Sequence, residues 1–118
     1  MDKNVEISLL LSFYGNILTS KQAEVTSLYY NEDLSLAEIA EIVGITRQGV
    51  RDSIKRAETT LYDMEGKLGL CRRFLGVKNK LLEIDELVKN IEKYDMPEEI
   101  KKKLSYIIDT IIDINDSF

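Results

Sequence analysis

Apolar residues recur every three or four positions along most of this chain, which is the spacing of one face of an α-helix. The most regular example is the segment from Ser35 to Ala57, where a glycine separates two short apolar series. The members of the two series are Leu36, Ile39, Ala40 and Val43, then Val50, Ile54, Ala57 and Leu61. The pattern predicts two helices joined by a tight turn, with both apolar faces buried in one core.

The ends of these two helices carry residues that stabilise helix starts and stops. Ser35 is followed three residues later by Glu38, the spacing of a capping box, and Thr46 is expected to cap the second helix. Gly44 lies where a helix commonly ends on a left-handed residue, because glycine adopts a positive φ without steric cost. The sequence therefore predicts a helix-turn-helix over Ser35–Ala57.

The outer face of the second helix is polar and largely basic. Arginine can bond both acceptors on a guanine edge, glutamine can pair with adenine, and Lys or Arg can hold phosphate. An aspartate on the same face can accept from cytosine, although it also repels phosphate. We expect a DNA-binding surface here, called the reading face below, made of Thr46, Arg47, Gln48, Arg51, Asp52, Lys55 and Arg56.

Two further helices are predicted before the motif. The second of these starts at Thr19, with Gln22 as its capping-box partner. The apolar N-terminal stretch is interrupted by acidic residues and serines, which argues against a signal peptide, and no run approaches the roughly 18 apolar residues that span a bilayer. We expect this stretch to be a core helix with one apolar face formed by Ile7, Leu10, Leu11, Tyr14, Ile17 and Leu18.

Apolar residues continue after the motif in alternating steps of four and three. One series runs from Val50 to Leu75, and glycines near its end leave open whether one helix or two carry it. A second series over residues 77–91 predicts another helix, and Pro97 is well placed near the start of a last one. The last two helices have a broad apolar surface. Two explanations of this surface remain open: the helices cover the motif and each other, or they form an interface between chains. We expect a homodimer.

The positions that define the motif share their pattern with a known DNA-binding module. They are Leu18, Thr19, Gln22, Leu28, Leu36, Glu38, Ile39, Ala40, Gly44, Ile45, Thr46, Val50, Arg56, Ala57 and Leu61. These positions resemble the fourth region of bacterial sigma factors, which reads promoter DNA with the second helix of its motif. The resemblance implies an all-α, sigma region 4-like helix-turn-helix bundle, here with a two-helix C-terminal extension.

A second resemblance covers essentially the whole chain. The stretches VEISLLLSFYGNILTSKQ and LSLAEIAEIVGITRQGVRDSIKRAE are similar to a family of small helix-turn-helix proteins, YlxM/p13-like, whose genes in low-GC Gram-positive bacteria lie beside the signal recognition particle GTPase gene. This resemblance implies a regulatory protein that takes part in the signal recognition particle pathway. We expect residues 1–70 to form the helix-turn-helix domain, with a long recognition helix, and residues 71–118 a helical pair for packing or dimerisation. We expect the two parts to form one compact unit.

The acidic net charge of the chain is consistent with a second function. The chain carries 16 Lys and Arg against 21 Asp and Glu, for a net charge of −5, whereas a dedicated DNA-binding protein usually has a basic footprint. Only the second motif helix is positive. The alternative is therefore an accessory protein or scaffold that does not bind DNA and uses the same motif to contact signal recognition particle protein or RNA.

Composition restricts the remaining function classes. The chain has no histidine, no glycine-rich phosphate loop and no zinc-ligand spacing, so we expect neither an enzyme nor a bound metal or cofactor. Its single cysteine, Cys71, suits a reducing cytoplasm and is interpreted as a small apolar core residue. The protein is expected to be cytoplasmic.

Overall fold

The computed structural model describes residues 1–117, and all the regular structure in that range is helical. A short 3₁₀ turn over Gly15–Ile17 follows the first helix. The six α-helices are α1 (Lys3–Tyr14), α2 (Ser20–Tyr30), α3 (Leu36–Val43), α4 (Arg47–Leu68), α5 (Leu70–Glu92) and α6 (Glu98–Asp116). The prediction of an all-helical fold built on a helix-turn-helix is confirmed.

The predicted helix starts are present at α2 and α3 as complete capping boxes. At α3, the Glu38 backbone N–H donates to Ser35 Oγ and the Ser35 N–H donates to a Glu38 carboxylate oxygen, both at 3.1 Å. Thr19 and Gln22 make the same two bonds at α2. Each cap satisfies backbone donors that have no partner within their helix, and caps of this kind contribute about 1 kcal/mol.

Two apolar clusters form the core of residues 1–71, and α4 contributes to both. The first half of α4 buries Val50 and Ile54 against α2 and α3. Its second half buries Ala57 and Leu61 in a cluster that includes Ile7 of α1. Because these four α4 residues lie on one face of the helix, a single element anchors the whole helix-turn-helix unit.

The expectation that Ile17 faces the core is wrong. Its side chain is 53% exposed, whereas the next residue, Leu18, is buried. The reason is that α1 ends at Tyr14, and the following 3₁₀ turn winds with three residues per turn instead of 3.6. The tighter winding changes the direction of the side chains and removes Ile17 from the apolar face.

The long series that starts at Val50 is carried by two helices. The first ends at Leu68, and Gly69, which caps it, has a left-handed φ of +65°. The next helix begins at once, and its first N–H groups are bonded by side chains: Leu70 N–H donates to the Tyr14 hydroxyl at 3.1 Å and Cys71 N–H to Glu65 Oε1 at 3.0 Å. Tyr14 itself donates to the same carboxylate oxygen at 2.7 Å. This network links α1 to the junction between α4 and α5.

The chain divides into two compact units, one comprising residues 1–71 and the other starting at Arg72. The second unit contains most of α5 and all of α6, joined by residues 93–97. A connection this short makes the two helices antiparallel neighbours. Its buried apolar side chains include Val88, Leu104 and Ile111.

Burial makes the Cys71 thiol a weak acid, and this has a measurable consequence. Desolvation, with the nearby Glu65 carboxylate as a smaller cause, raises the pKa of Cys71 to about 12. In the unfolded chain the thiol releases its proton above about pH 8.5. Because the folded pKa is the higher one, the stability linked to this group is complete below pH 8.5 and is lost as the pH rises towards the folded pKa.

We therefore expect the free energy of unfolding to fall between about pH 8 and pH 10, and to fall less in a Cys71→Ala variant. Urea unfolding of both proteins, in reductant and at several pH values, measures the two slopes. Tyrosines of the unfolded chain begin to ionise near pH 10 and contribute equally to both proteins, so the difference between the two slopes isolates Cys71. Equal slopes would contradict the assignment of this pH dependence to Cys71.

Candidate nucleic-acid interface

The predicted turn lies between α3 and α4. Gly44 has a φ of +74°, and its N–H donates to the Ala40 carbonyl at 2.9 Å. Two residues later, Thr46 caps α4, because its hydroxyl oxygen accepts from the Gly49 N–H at 2.9 Å. The side chains of Leu34 and Ile45, which precede the two caps, pack against the cluster around Ile39 and Val50. The turn is thus anchored on both sides.

The start of α3 carries a stabilised negative charge. Hydrogen bonds from the backbone N–H of Ser35 and from its side chain lower the pKa of Glu38. A carboxylate in the first turn also interacts favourably with the positive end of the helix dipole. Glu38 therefore belongs to the structure of the motif and is tied to its own helix.

All seven residues of the predicted reading face are exposed. Thr46 is the cap that precedes α4, and the other six lie on two adjacent stripes of the helix, since residues four positions apart are neighbours on a helix surface. Arg47, Arg51 and Lys55 form one stripe, and Gln48, Asp52 and Arg56 form the other. The opposite side of the helix is buried, so it is these two stripes that α4 presents to solvent.

Asp52 has a partner within the reading face. Gln48 Nε2 donates to Asp52 Oδ1 at 2.9 Å, across one turn of α4. This bond uses one of the two amide hydrogens of Gln48 and leaves the second hydrogen and the carbonyl oxygen able to bond a base edge. The carboxylate that would repel phosphate thus also orients the glutamine beside it.

Gly49 leaves room for the cap of its own helix. A Cβ atom at this position would lie 3.2 Å from Thr46 Oγ1, the atom that accepts from the Gly49 N–H. Glycine inside a helix costs roughly 0.5–1 kcal/mol relative to alanine. The close approach gives a local reason for a glycine at this position.

One side of the reading face opens into a hollow of about 310 Å³. Arg51 and Lys55 line it together with Lys3 of α1 and Tyr29 at the end of α2. Sequence reasoning missed Lys3 and Tyr29 as candidate site residues. Lys3 is isolated near the N terminus, and no local pattern associates it with α4, so only the packing of α1 beside α4 brings its ammonium group here.

Two tyrosine–carboxylate pairs link α4 to the helices beneath it. Tyr30 donates a short hydrogen bond to Glu58, and the same carboxylate pairs with Lys3 at 3.5 Å. Tyr62 donates similarly to Glu6. Desolvation and then the bond to Glu58 raise the pKa of Tyr30, whereas for Tyr62 the bond to Glu6 is the larger cause and raises its pKa to about 12. Both hydroxyls therefore remain protonated donors at neutral pH.

Within residues 1–117, no group of three or more His, Cys, Asp or Glu side chains is arranged to hold a metal ion. None of the helices in this range is both long and apolar enough to cross a membrane. The most distinctive surface chemistry of the motif is thus the basic part of α4.

Two capped helices, a left-handed glycine turn and an exposed second helix define the class of this protein as a helix-turn-helix protein. The model of one protein family matches residues 1–111, and its description is "Putative helix-turn-helix protein, YlxM / p13 like". Because the match covers nearly the whole chain, the protein belongs to this family, UPF0122. The family resemblance inferred from the sequence is confirmed.

Curated relatives agree with this assignment. A UPF0122 protein from Acetivibrio thermocellus is 48% identical over 117 residues, covering 99% of this chain and 100% of the relative. A UPF0122 protein from Desulforamulus reducens is 45% identical and covers 82% and 83% of the two chains. One from Clostridium perfringens is 42% identical, with 95% and 98% covered. The similarity therefore includes the C-terminal helices as well as the motif.

Proposed function

We propose that this protein is a DNA-binding regulator that inserts the start of α4 into the major groove of duplex DNA. The observation that carries the proposal is the reading face, a set of exposed and mainly basic or amide side chains on a helix whose other side is buried. Caps, core clusters and tyrosine–carboxylate pairs hold this helix in place. A single α-helix fits the width of the major groove of B-DNA.

The basic stripe supplies the contacts to phosphate and guanine in this proposal. Arg47, Arg51 and Lys55 lie on successive turns of one side of α4, a spacing that follows a groove wall. Lys3 of α1 lines the same hollow and is paired there with Glu58, so the positive charge at this edge comes mainly from Arg51 and Lys55. Phosphate contacts of this kind set position and orientation, whereas arginine bonds to base edges carry sequence information.

The second stripe supplies selectivity. Gln48 is oriented by Asp52 and offers one donor and one acceptor, the pair that matches an adenine edge. Arg56 lies further along and is assigned to phosphate. Thr46 uses its hydroxyl oxygen for the cap, so we assign its hydroxyl hydrogen to a phosphate at the edge of the groove.

The low number of cations favours a homodimer as the DNA-binding form. The chain has a net charge of −5, and the reading face has four cations, so one chain releases few counterions. Two chains double that number and read two half-sites. We propose that the helix-turn-helix part, residues 1–70, binds DNA and that residues 71–118 join the two chains.

The same acidity supports a second candidate. A protein with one small basic surface fits a partner that presents a limited number of phosphates or carboxylates. In this alternative the motif contacts protein or RNA of the signal recognition particle in the cytoplasm, as the family resemblance implies. The reading face is then a docking surface for a macromolecule other than DNA.

The test is selection of binding sites from a random pool of duplex DNA at physiological salt. We expect an enriched sequence, and a plot of log K against log salt with a slope of roughly −3 to −4 per chain, because each phosphate contact contributes about −0.9. Binding to purified signal recognition particle is measured in parallel. Absence of any enriched sequence overturns the DNA proposal, and binding to the particle that depends on Arg47 and Arg51 then supports the alternative.

A further inference from the structure

The two C-terminal helices expose apolar side chains at seven-residue intervals. On α5 the exposed residues are Val77, Ile84 and Ile91, and on α6 they are Ile100, Ile107 and Ile114. Each of these six side chains is between 39% and 46% exposed. We call these two sets the open columns. Each spans fourteen residues of helix, which corresponds to a length of about 21 Å.

Each open column lies beside an inward-facing column with the same spacing. On α5 these residues are Phe74 and Leu81, both half-buried, and Val88, which is buried. On α6 they are Leu104 and Ile111, both buried. Together the two columns of each helix give steps of four and three, the pattern of a coiled-coil seam in which both columns pack against partner helices. The chain covers one column of each seam and leaves the other exposed.

The second unit has more exposed than buried large apolar side chains. Among residues 72–117, three apolar side chains are buried and eleven large ones are exposed. Monomeric domains rarely leave apolar side chains in continuous rows, and rows of this kind commonly mark an interface. Packing these residues against another surface removes them from water and completes both seams.

Charge along the helices indicates what covers the open columns. The first half of α5 has Arg72, Arg73, Lys78 and Lys80 and no acidic residue. Its second half is mainly acidic, with Glu83, Asp85, Glu86 and Glu92 against one lysine. The helix α6 begins with Glu98 and Glu99, but its polarity is otherwise the same, with Lys101, Lys102 and Lys103 in its first half and Asp109, Asp113 and Asp116 in its second. Basic and acidic halves face each other only when neighbouring helices are antiparallel.

We propose that a second copy of this chain covers the open columns, so that α5 and α6 of both chains form an antiparallel four-helix bundle. A partner must present apolar residues at the same interval over the same length, and this unit presents two such columns itself. In a four-helix bundle that alternates up and down, every neighbouring pair is antiparallel and therefore charge-complementary. Such an interface is self-complementary, as two-fold symmetry requires. This inference deepens the homodimer part of the proposed function.

Sedimentation velocity of the full chain without DNA tests the bundle. We expect the parent to sediment with twice the mass of one chain at micromolar concentration. In Ile84→Asp and in Ile107→Asp, each with a charge in one open column, the dissociation constant should rise by about a hundredfold or more, because the carboxylate would be buried at the interface. Ile112→Asp is the matched control. It changes the same residue type at 49% exposure on α6 but outside the open columns, so it should remain dimeric.

Folding and association are separated by a second measurement. Far-UV circular dichroism should show parental helix content in all three variants, and an Ile84→Ala, Ile107→Ala double variant provides a milder change if an aspartate variant unfolds. A monomeric parent, or dimers that persist in the column variants, would overturn the bundle. Dissociation of the control to the same degree would overturn the assignment to the open columns. Since no DNA is present, these outcomes do not depend on whether α4 binds DNA.

Discussion

Replacing Leu61 with alanine is expected to lower the free energy of unfolding by about 2–5 kcal/mol. Leu61 is completely buried in the second half of α4, in a cluster with Ile7 and Leu10 of α1 and with Cys71. The substitution removes three carbon atoms from a site surrounded by several helices. Because these helices cannot collapse fully into the space, the loss includes the cost of a cavity as well as the lost transfer free energy.

Leu68→Ala is the matched control for this change. Leu68 is on the same helix but is 55% exposed, so its truncation should alter stability by no more than about 0.5 kcal/mol. Urea unfolding monitored by circular dichroism measures both variants at the same protein concentration. A loss below about 1 kcal/mol for Leu61→Ala would mean that the cluster rearranges easily and does not anchor α4.

Replacing Arg47 and Arg51 together with alanine is expected to reduce affinity for the selected DNA sequence by at least about 30-fold. Each arginine is assigned a contact of about 1 kcal/mol or more, and two such losses multiply in the binding constant. Both side chains are exposed, so the fold should be retained. Fluorescence anisotropy with the selected duplex and with a scrambled duplex measures the loss of affinity and of discrimination.

The control for this variant removes the same charge from elsewhere in the chain. Lys21→Ala with Lys93→Ala also deletes two exposed cations, one on α2 and one in the connection between α5 and α6, and neither belongs to the reading face or to the proposed bundle. Net charge then becomes equally negative in both double variants, so a general electrostatic effect would weaken both equally. Equal losses would contradict the assignment of Arg47 and Arg51 to direct contacts. A much larger loss in the arginine variant would support it.

The two double variants also help to separate the two candidate functions. A reading face that binds duplex DNA should lose affinity for the selected sequence more than for the scrambled one when its arginines are removed. A docking surface for signal recognition particle protein or RNA should show no such difference between duplexes. The same variant proteins serve for both candidate functions, because both candidates use the exposed side chains of the reading face.

Most of the motif could be predicted because its determinants lie close together in the sequence. A capping box such as Ser35 with Glu38 needs residues three positions apart, and a left-handed turn needs one glycine. The apolar faces of α3 and α4 follow from their periodicity. The exposed position of the reading face follows as well, because it is the complement of the buried face.

Other features could not be predicted because they depend on contacts between distant segments. Ile17 lies outside the core because it belongs to a 3₁₀ turn, and the spacing of the apolar residues does not indicate such a turn. The junction after Gly69 is stabilised by Tyr14, more than fifty residues away in the chain. Lys3 reaches the edge of the reading face only because α1 packs beside α4, and no local rule relates residues so far apart.

The sequence by itself determined where the helices of the motif start and stop and which side of α4 is polar, since these depend on interactions within about one helical turn. The tertiary structure alone decided which distant side chains join α4 and which columns of α5 and α6 stay exposed. Apolar residues in alternating steps of four and three show that a helix has two apolar columns. This pattern cannot show which of the two columns the rest of the chain covers. That choice depends on how the helices pack, and packing involves the chain as a whole.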